Sequence, residues 1–245
     1  MLLHGFAEDG TIWEPQITAL KDNYQLLVPD LPGCGQSPMP VDDLSLEKLA
    51  NLLIALLDKE EIPQCILIGH SMGGYITLAV AEKYPHRLTV FGLFHSTAYG
   101  DSDEKIAGRR KSIEFIRKNG APAYIRQSMP NLFAESSRKE HPEWIDSLID
   151  RYTAFNPDAL TQYQEAMISR PDRTHVLQQF AGPVLFIIGK QDPLIPLQVS
   201  LQQTHMPGLS HIHILEDAGH MGMLENTSAS NNILDDFLRP YRSSH

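Results

Sequence analysis

Short apolar runs alternate with amphipathic segments through the first part of the chain. The runs Gln25–Val28, Cys65–Ile68 and Leu88–Phe94 are continuously apolar over most of their length, which predicts buried strands. In the segments 46–57 and 75–84, the apolar positions recur at the spacing of helices. Strands that alternate with helices predict an α/β fold with a mostly parallel open sheet.

A long block without strand signals follows. From about Thr97 to Gln179, one amphipathic helix follows another, and one of them opens with Asn156 as its cap and Pro157 in its first turn. A preceding helical face carries the apolar residues Trp144, Ile145, Leu148, Ile149 and Tyr152. The block is therefore predicted to be a helical insertion.

Strands resume beyond this insertion, at Val184–Ile188 and at His211–Leu215. A last helix presents one apolar face made of Ile233, Leu234, Phe237 and Leu238. We therefore predict three parts: residues 1–96 as the first part of a core, 97–179 as a helical cap, and 180–245 as the second part of the core. No internal repeat or low-complexity tract interrupts this order.

Composition and charge narrow the class of protein. The 245 residues are 42% hydrophobic, and 20 Lys and Arg against 30 Asp and Glu give a net charge of −10, which disfavours binding to nucleic acid or an anionic membrane. No apolar stretch approaches the roughly 20 residues of a membrane span, and the segment from Met1 lacks the features of a signal peptide. A cytoplasmic location is therefore predicted. Cys34 and Cys65 are predicted to be free thiols.

A glycine-rich turn joins the predicted strand at 65–68 to the next helix. It has the pattern Gly-x-Ser-x-Gly, with Gly69, Ser71 and Gly73 at the fixed positions. Glycines let neighbouring chains approach such a turn closely, and the turn presents a serine hydroxyl at the N-terminus of a helix. The strand before it and the helix after it favour a nucleophile elbow over a turn that merely packs.

A serine hydroxyl needs a base, and the base needs an acceptor to orient it. Asp192 follows the strand at 184–188, and His220 follows the strand at 211–215. Each residue taken singly has an alternative role, Asp192 in a turn and His220 on the surface. Because all three residues follow strand ends at one edge of the sheet, we predict a triad of Ser71, Asp192 and His220. Asp101 is the alternative acid.

Two backbone N–H groups are expected to stabilise the oxyanion. Met72 directly follows the nucleophile at a helix N-terminus, and Phe6 lies in the loop after the first visible strand. The alternative interpretation of the segment at His4-Gly5 is a simple turn.

In these features the chain resembles the α/β-hydrolase superfamily over essentially its whole length. The matching segments are His4-Gly5-Phe6 with Trp13 downstream, residues 30–37 and 69–74, and the single residues Asp192 and His220. The resemblance implies a sheet with helices on both faces, a cap over the site, and no metal or organic cofactor. The family normally has two strands before the one at Met1–Leu3, so these two are expected to be absent from this sequence.

The resemblance is strongest to the small esterases, enol-lactonases and carbon–carbon-bond hydrolases. A serine nucleophile argues against haloalkane dehalogenases and epoxide hydrolases, which use an aspartate there. The leading hypothesis is hydrolysis of a small carboxylic ester or lactone through an acyl-enzyme. Carbon–carbon-bond or thioester hydrolysis by the same triad is an alternative, and so is a small-molecule receptor or signalling protein on this fold. The sequence is compatible with both a monomer and a homodimer.

Other residues have a functional and a structural interpretation. The pocket is predicted from residues at strand ends or in the insertion, namely Phe94, His95, Tyr99, Phe133, Ile195 and Met221. His211 and His213 could bind a metal but lack an evident third ligand, which favours a solvated strand face. The run Arg109-Arg110-Lys111 could meet an anionic substrate, although a solvated helix face is favoured.

Overall fold

A single parallel sheet organises the residues that the computed structural model describes, which are 1–39 and 44–242. Its strands within these residues are β1 (Leu2–Leu3), β2 (Cys65–His70), β3 (Leu88–Phe94), β4 (Val184–Gly189) and β5 (Ser210–Leu215). Neighbouring strands are parallel, and their order across the sheet is that of the sequence. The carboxyl ends of all these strands therefore lie at one edge, and the loops that follow them meet there.

Helices flank the sheet on both faces. They are α1 (Glu14–Leu20), α2 (Leu46–Lys59), α3 (Met72–Lys83), α4 (Asp103–Ser128), α5 (Glu135–Glu140), α6 (Pro142–Tyr152), α7 (Pro157–Ile168), α8 (Thr174–Gln179), α9 (Leu197–Gln203), α10 (Gly222–Glu225) and α11 (Thr227–Leu238). Helix α3 packs on α2 and on strands β2 and β3, whereas α11 packs on α1 and β5. The predicted α/β class with a parallel open sheet is confirmed.

Helix α3 shows why this segment is helical although its apolar residues do not form a single stripe. It is buried nearly all round, because it lies between α2 and the sheet, and it begins at the residue after Ser71. The predicted cap of α7 is confirmed, since the Asn156 side chain accepts a 2.8 Å hydrogen bond from the Asp158 N–H.

The strand predicted at Gln25–Val28 is wrong. The segment runs beside β1, but the backbone hydrogen bond between the two is from the Leu2 N–H to the Leu27 carbonyl, at 2.9 Å. Pro29 directly follows and cannot donate a ladder bond. Apolar residues without a paired ladder give a partly buried loop that packs against the core.

The segment between β3 and β4 contains helices α4 to α8 and no strand. Helix α4 is bent at Gly120, whose φ of 79° lies in the left-handed region that favours glycine, and α4 packs along α7. Cys34 and Cys65 are free thiols, as predicted. Among the described residues, no helix combines the length and the hydrophobicity that crossing a membrane requires.

Candidate active site

The turn after β2 holds Ser71 in a strained conformation. Its φ of 49° and ψ of −114° are unusual for a residue with a side chain. The Ser71 N–H donates to the Phe94 carbonyl at 2.9 Å, and the Ser71 carbonyl accepts from the Ser96 hydroxyl at 2.7 Å. A side chain at Gly69 would collide with the backbone of Gly73. The glycines thus permit a sharp turn, and bonds to the neighbouring strand hold it.

Asp192 and His220 are in direct contact below this turn. The Nδ1 of His220 lies 2.7 Å from the Oδ2 of Asp192, and both side chains are buried. The other carboxylate oxygen accepts the N–H groups of Leu194 and Ile195, at 2.8 and 2.9 Å. Burial raises the pKa of Asp192, but His220 and these hydrogen bonds outweigh burial and leave the pKa below its ordinary value. A charged Asp192 keeps the Nδ1 of His220 protonated.

Ser71 and His220 lie on the wall of one cavity of about 430 Å³. The other lining residues come from the loop after β1, from α3, from the loop after β4 and above all from the segment 97–179. They are Phe6, Ala7, Tyr75, Lys105, Gly108, Arg109, Ser112, Tyr124, Ser128, Met129, Asn131, Leu132, Gln164, Met167, Leu194 and Ile195. Most of the lining residues therefore belong to the segment 97–179 that was predicted to form a cap.

The two predicted oxyanion donors are near this cavity. Phe6 lines it, and Met72 is the first residue of α3, where a backbone N–H has no acceptor within the helix. The loop that carries Phe6 is held by Glu8, whose Oε2 accepts the Gly5 N–H at 2.7 Å. The same oxygen accepts a 3.0 Å hydrogen bond from Nδ1 of His70. Glu8 therefore ties the loop to the elbow, a role that was not predicted.

His70 is a buried imidazolium. Its Nδ1 faces the Glu8 carboxylate and its Nε2 lies 3.0 Å from the His220 carbonyl, so both ring nitrogens need a proton. Burial lowers the pKa of His70, but Glu8 outweighs burial and leaves it above the ordinary 6.5. Burial raises the pKa of Glu8, but His70 and the Gly5 N–H leave it below the ordinary 4.5. Neither residue carried a sequence signal beyond its place next to a motif.

Replacing Glu8 with glutamine tests this pair. The amide oxygen can still accept from Gly5 and His70, so the variant removes mainly the charge. We expect it to lower the free energy of unfolding by about 2 kcal/mol between pH 4.5 and 6.5, where both wild-type groups are charged. The stabilisation by His70 is lost as pH rises through its raised pKa, and that by Glu8 is lost as pH falls through its lowered pKa.

Urea unfolding of both proteins at pH 6 and pH 9 measures this effect. The loss of unfolding free energy in the variant, relative to wild type, is compared at the two pH values. An equal loss of stability at the two pH values would contradict a charged pair.

Of the six predicted pocket residues, the structure places Ile195 on the cavity wall. The other five do not line the cavity. Phe94 ends β3 and packs edge-on against Trp13, with ring centroids 5.4 Å apart, because its side chain points to a sheet face. Phe133 and Met221 are buried in the core.

His95 and Tyr99 are also away from the cavity. His95 is buried, and burial lowers its pKa well below the ordinary value, so its Nδ1 accepts the Gly189 N–H at 2.9 Å. This bond places the proton of the neutral ring on Nε2. The Tyr99 carbonyl accepts from the Arg170 guanidinium, at 3.3 Å. Neither residue lines the cavity, and His95 instead binds the end of β4 at Gly189.

The basic run of α4 is divided between the cavity and its surroundings. Arg109 lines the cavity, whereas Arg110 and Lys111 are exposed. Asp101, the alternative acid for the triad, forms ion pairs with Arg109 at 2.5 Å and Arg170 at 2.8 Å. It is therefore not the partner of His220.

His211 and His213 lie on strand β5, where His211 is exposed and His213 is partly buried. The ring of His211 packs against Phe237 with centroids 5.1 Å apart, and burial lowers the pKa of His213. Within residues 1–39 and 44–242, no three His, Cys, Asp or Glu side chains are grouped so as to hold a metal ion.

Comparisons with known proteins agree on the kind of fold. A model described as the Alpha/beta hydrolase family matches residues 1–229. The solved structure of a thermophilic esterase from Thermogutta terrifontis has a TM-score of 0.93 to this chain. The two sequences are 30% identical, and the match covers 99% of this chain and 89% of that one. The 3-oxoadipate enol-lactonase 2 of Acinetobacter baylyi is 25% identical over 94% of this chain and 85% of its own length.

One further relative is considerably longer. The dihydrolipoyllysine-residue acetyltransferase component of the acetoin cleaving system of Pseudomonas putida is 29% identical over 98% of this chain. The chain spans 63% of the length of that relative.

Proposed function

The chain belongs to the alpha/beta hydrolase family and is a hydrolytic enzyme, and on this premise we propose that it cleaves a small carboxylic ester or lactone through an acyl-enzyme on Ser71. One observation carries the proposal: Ser71 and His220 share the wall of one cavity, and His220 is bound to the buried Asp192 at 2.7 Å. This arrangement supports a base beside a nucleophile, with an acceptor that orients the base.

The proposed reaction begins at the His220 ring. With Nδ1–H donated to Asp192, its Nε2 carries a lone pair that takes the Ser71 proton as Oγ attacks the carbonyl carbon. The N–H groups of Phe6 and Met72 stabilise the resulting oxyanion. The C–O bond to the alcohol then breaks, and His220 gives the proton to the leaving oxygen.

Water completes the cycle. His220 takes a proton from a water molecule, whose oxygen attacks the acyl carbon and forms a second oxyanion. When this intermediate collapses, the carboxylic acid leaves and the proton returns to Ser71. In a lactone, the acid and alcohol are parts of one product.

The cavity supports a small substrate. Its volume of about 430 Å³ lies in the lower part of the range of small-molecule sites. We propose that residues 97–179 act as the cap that selects the substrate, because most of the lining side chains come from α4, α7 and the segment between α4 and α5. The cytoplasmic location and the choice between monomer and homodimer stay predictions.

The decisive experiment combines covalent labelling with turnover. Wild type is expected to react stoichiometrically with a fluorophosphonate at Ser71 and to turn over p-nitrophenyl esters of short acyl chains for many cycles. Ser71→Ala should lose the labelling and at least about 10³-fold in kcat, while Ser147→Ala, at an exposed position of α6, retains both.

Three outcomes separate the alternatives. Turnover of ketones with a cleavable carbon–carbon bond, but not of esters, favours the carbon–carbon hydrolase. Preference for acyl thioesters over matched oxygen esters favours the thioesterase. A single burst followed by a stable Ser71 adduct contradicts an esterase and favours a receptor.

A further inference from the structure

We infer that the substrate carries a carboxylate besides the group that is cleaved, and that Lys105 and Arg109 at the cavity wall bind it. The inference rests on the proposed function of Ser71 and specifies its substrate class. It starts from the charges around the cavity. The cations Lys105 and Arg109 line the cavity, and no Asp or Glu of the described residues lines it. In a chain of net charge −10, this wall has the opposite sign to the protein.

Both cations lie on the same face of α4. Lys105, Gly108, Arg109 and Ser112 have the spacing i, i+3, i+4 and i+7, and all of them line the cavity. No atom lies within 4 Å of where a side chain at Gly108 would begin, so this part of the wall is open. Lys105 and Arg109 therefore lie about one helical turn apart on the wall of the Ser71 cavity.

Lys105 has unused capacity for an anion. Its Nζ donates to the Leu194 carbonyl at 3.3 Å, and no carboxylate of the described part of the chain forms an ion pair with it. An ammonium group has three donors, so two stay free for a ligand. The bond to Leu194 holds Lys105 beside the loop whose N–H groups orient Asp192. The free donors therefore belong to a residue on the wall of the cavity that Ser71 also lines.

Arg109 adds positive charge although it already has a partner. Asp101 is shared between Arg109 and the buried Arg170, so that two guanidinium groups surround one carboxylate. The guanidinium of Arg170 also lies 3.9 Å over the ring of Tyr75, which lines the cavity. Together, Asp101, Arg109 and Arg170 carry one excess positive charge. In a partly enclosed cavity, water and salt screen this charge only partly.

The test compares substrates that differ only in charge. Methyl half-esters of malonate to adipate carry a free carboxylate, and the matched methyl ester amides replace it by a neutral group of the same shape. A second series places the carboxylate or the amide on the alcohol, as in 4-acetoxybutanoate and 4-acetoxybutanamide. We expect wild type to prefer the carboxylate by about tenfold in kcat/KM in one of the series, and less at high salt.

Two lysine variants identify the responsible residue. Lys105→Gln should bring the preference close to one by lowering kcat/KM for the half-esters. Lys111→Gln removes the same charge from a position of the same helix that does not line the cavity, and it should keep the preference. An equal loss in both variants would mean that net charge, rather than a binding site, creates the preference, and would overturn the inference.

A binding measurement separates this inference from the proposed function. In the Ser71→Ala background, calorimetric titration should show the half-ester of best length binding about tenfold more tightly than its amide. Lys105→Gln in that background should remove the difference. Absence of labelling and of all turnover, with the binding preference intact, would count only against the proposed function. Equal binding and turnover of carboxylate and amide in both series would overturn the carboxylate site.

Discussion

Replacing Asp192 with asparagine is expected to lower kcat by about 10³- to 10⁴-fold with little change in the fold. One oxygen of Asp192 accepts the N–H groups of Leu194 and Ile195, and the other accepts from Nδ1 of His220. An asparagine keeps its oxygen on the two N–H groups, which turns its NH₂ group towards His220. The ring must then accept at Nδ1 and carry its proton on Nε2, so it has no lone pair for Ser71.

Steady-state kinetics on a p-nitrophenyl ester and circular dichroism together test this prediction. Asp217→Asn is the matched control, because it makes the same change on an exposed residue just before His220. We expect its kcat to stay within about twofold of wild type, as for other surface substitutions. A folded Asp192→Asn enzyme that keeps a tenth or more of the wild-type kcat would refute the orienting role.

Replacing Glu225 with glutamine is expected to lower the free energy of unfolding by about 2 kcal/mol and kcat by about tenfold, with KM little changed. One oxygen of Glu225 accepts the N–H groups of Gly219 and Met221, at 2.9 and 3.0 Å. The other accepts the Ala134 N–H at 2.8 Å and the Ser137 hydroxyl at 2.7 Å. Each oxygen receives two donors, so a glutamine NH₂ faces at least one backbone N–H in either orientation, and a backbone N–H cannot accept.

The effect on catalysis follows from where these donors lie. Gly219 and Met221 are the two neighbours of His220 in the chain, and Ala134 and Ser137 belong to the helical segment above the cavity. Glu225 thus fixes the His220 loop against the segment 97–179. A second bond between the same parts, from the His220 N–H to the Leu132 carbonyl at 2.7 Å, is expected to keep the variant folded.

Glu216→Gln is the matched control for Glu225, since Glu216 is exposed and its partner is the exposed Lys190. Glu216→Gln should change the free energy of unfolding by less than about 0.5 kcal/mol. Urea unfolding and the separate values of kcat and KM are measured for both variants. If Glu225→Gln raised KM and left kcat unchanged, Glu225 would shape the substrate site rather than position His220.

The local features of the fold were accessible from the sequence. The buried parallel strands β2, β3 and β4 have continuous apolar runs in the sequence. The amphipathic helices α2 and α6 have apolar residues at helical spacing. The elbow was recognisable because its glycines have a fixed local spacing. At Gly69 the steric demand is also local, since a side chain there would meet Gly73, whereas a side chain at Gly73 would meet the distant backbone of Leu3 and His4. The strand predicted at Gln25–Val28 failed because pairing depends on a neighbour and not on the apolar run itself.

For the site, too, some features were predictable from the sequence and others were not. The sequence by itself determined that Ser71, Asp192 and His220 follow strand ends, and parallel strands bring such ends to one edge of the sheet. Which side chains line the cavity was decided only by tertiary structure: five of the six predicted pocket residues lie elsewhere.

The physical reason is the range of the interactions involved. The Glu8–His70 pair joins residues 62 positions apart, and Glu225 reaches Ala134 across 91 positions. No local pattern in the chain encodes such contacts. Likewise, the spacing of Lys105 and Arg109 is visible in the sequence, but the packing of α4 along α7 decides that this face lies on the wall of the Ser71 cavity.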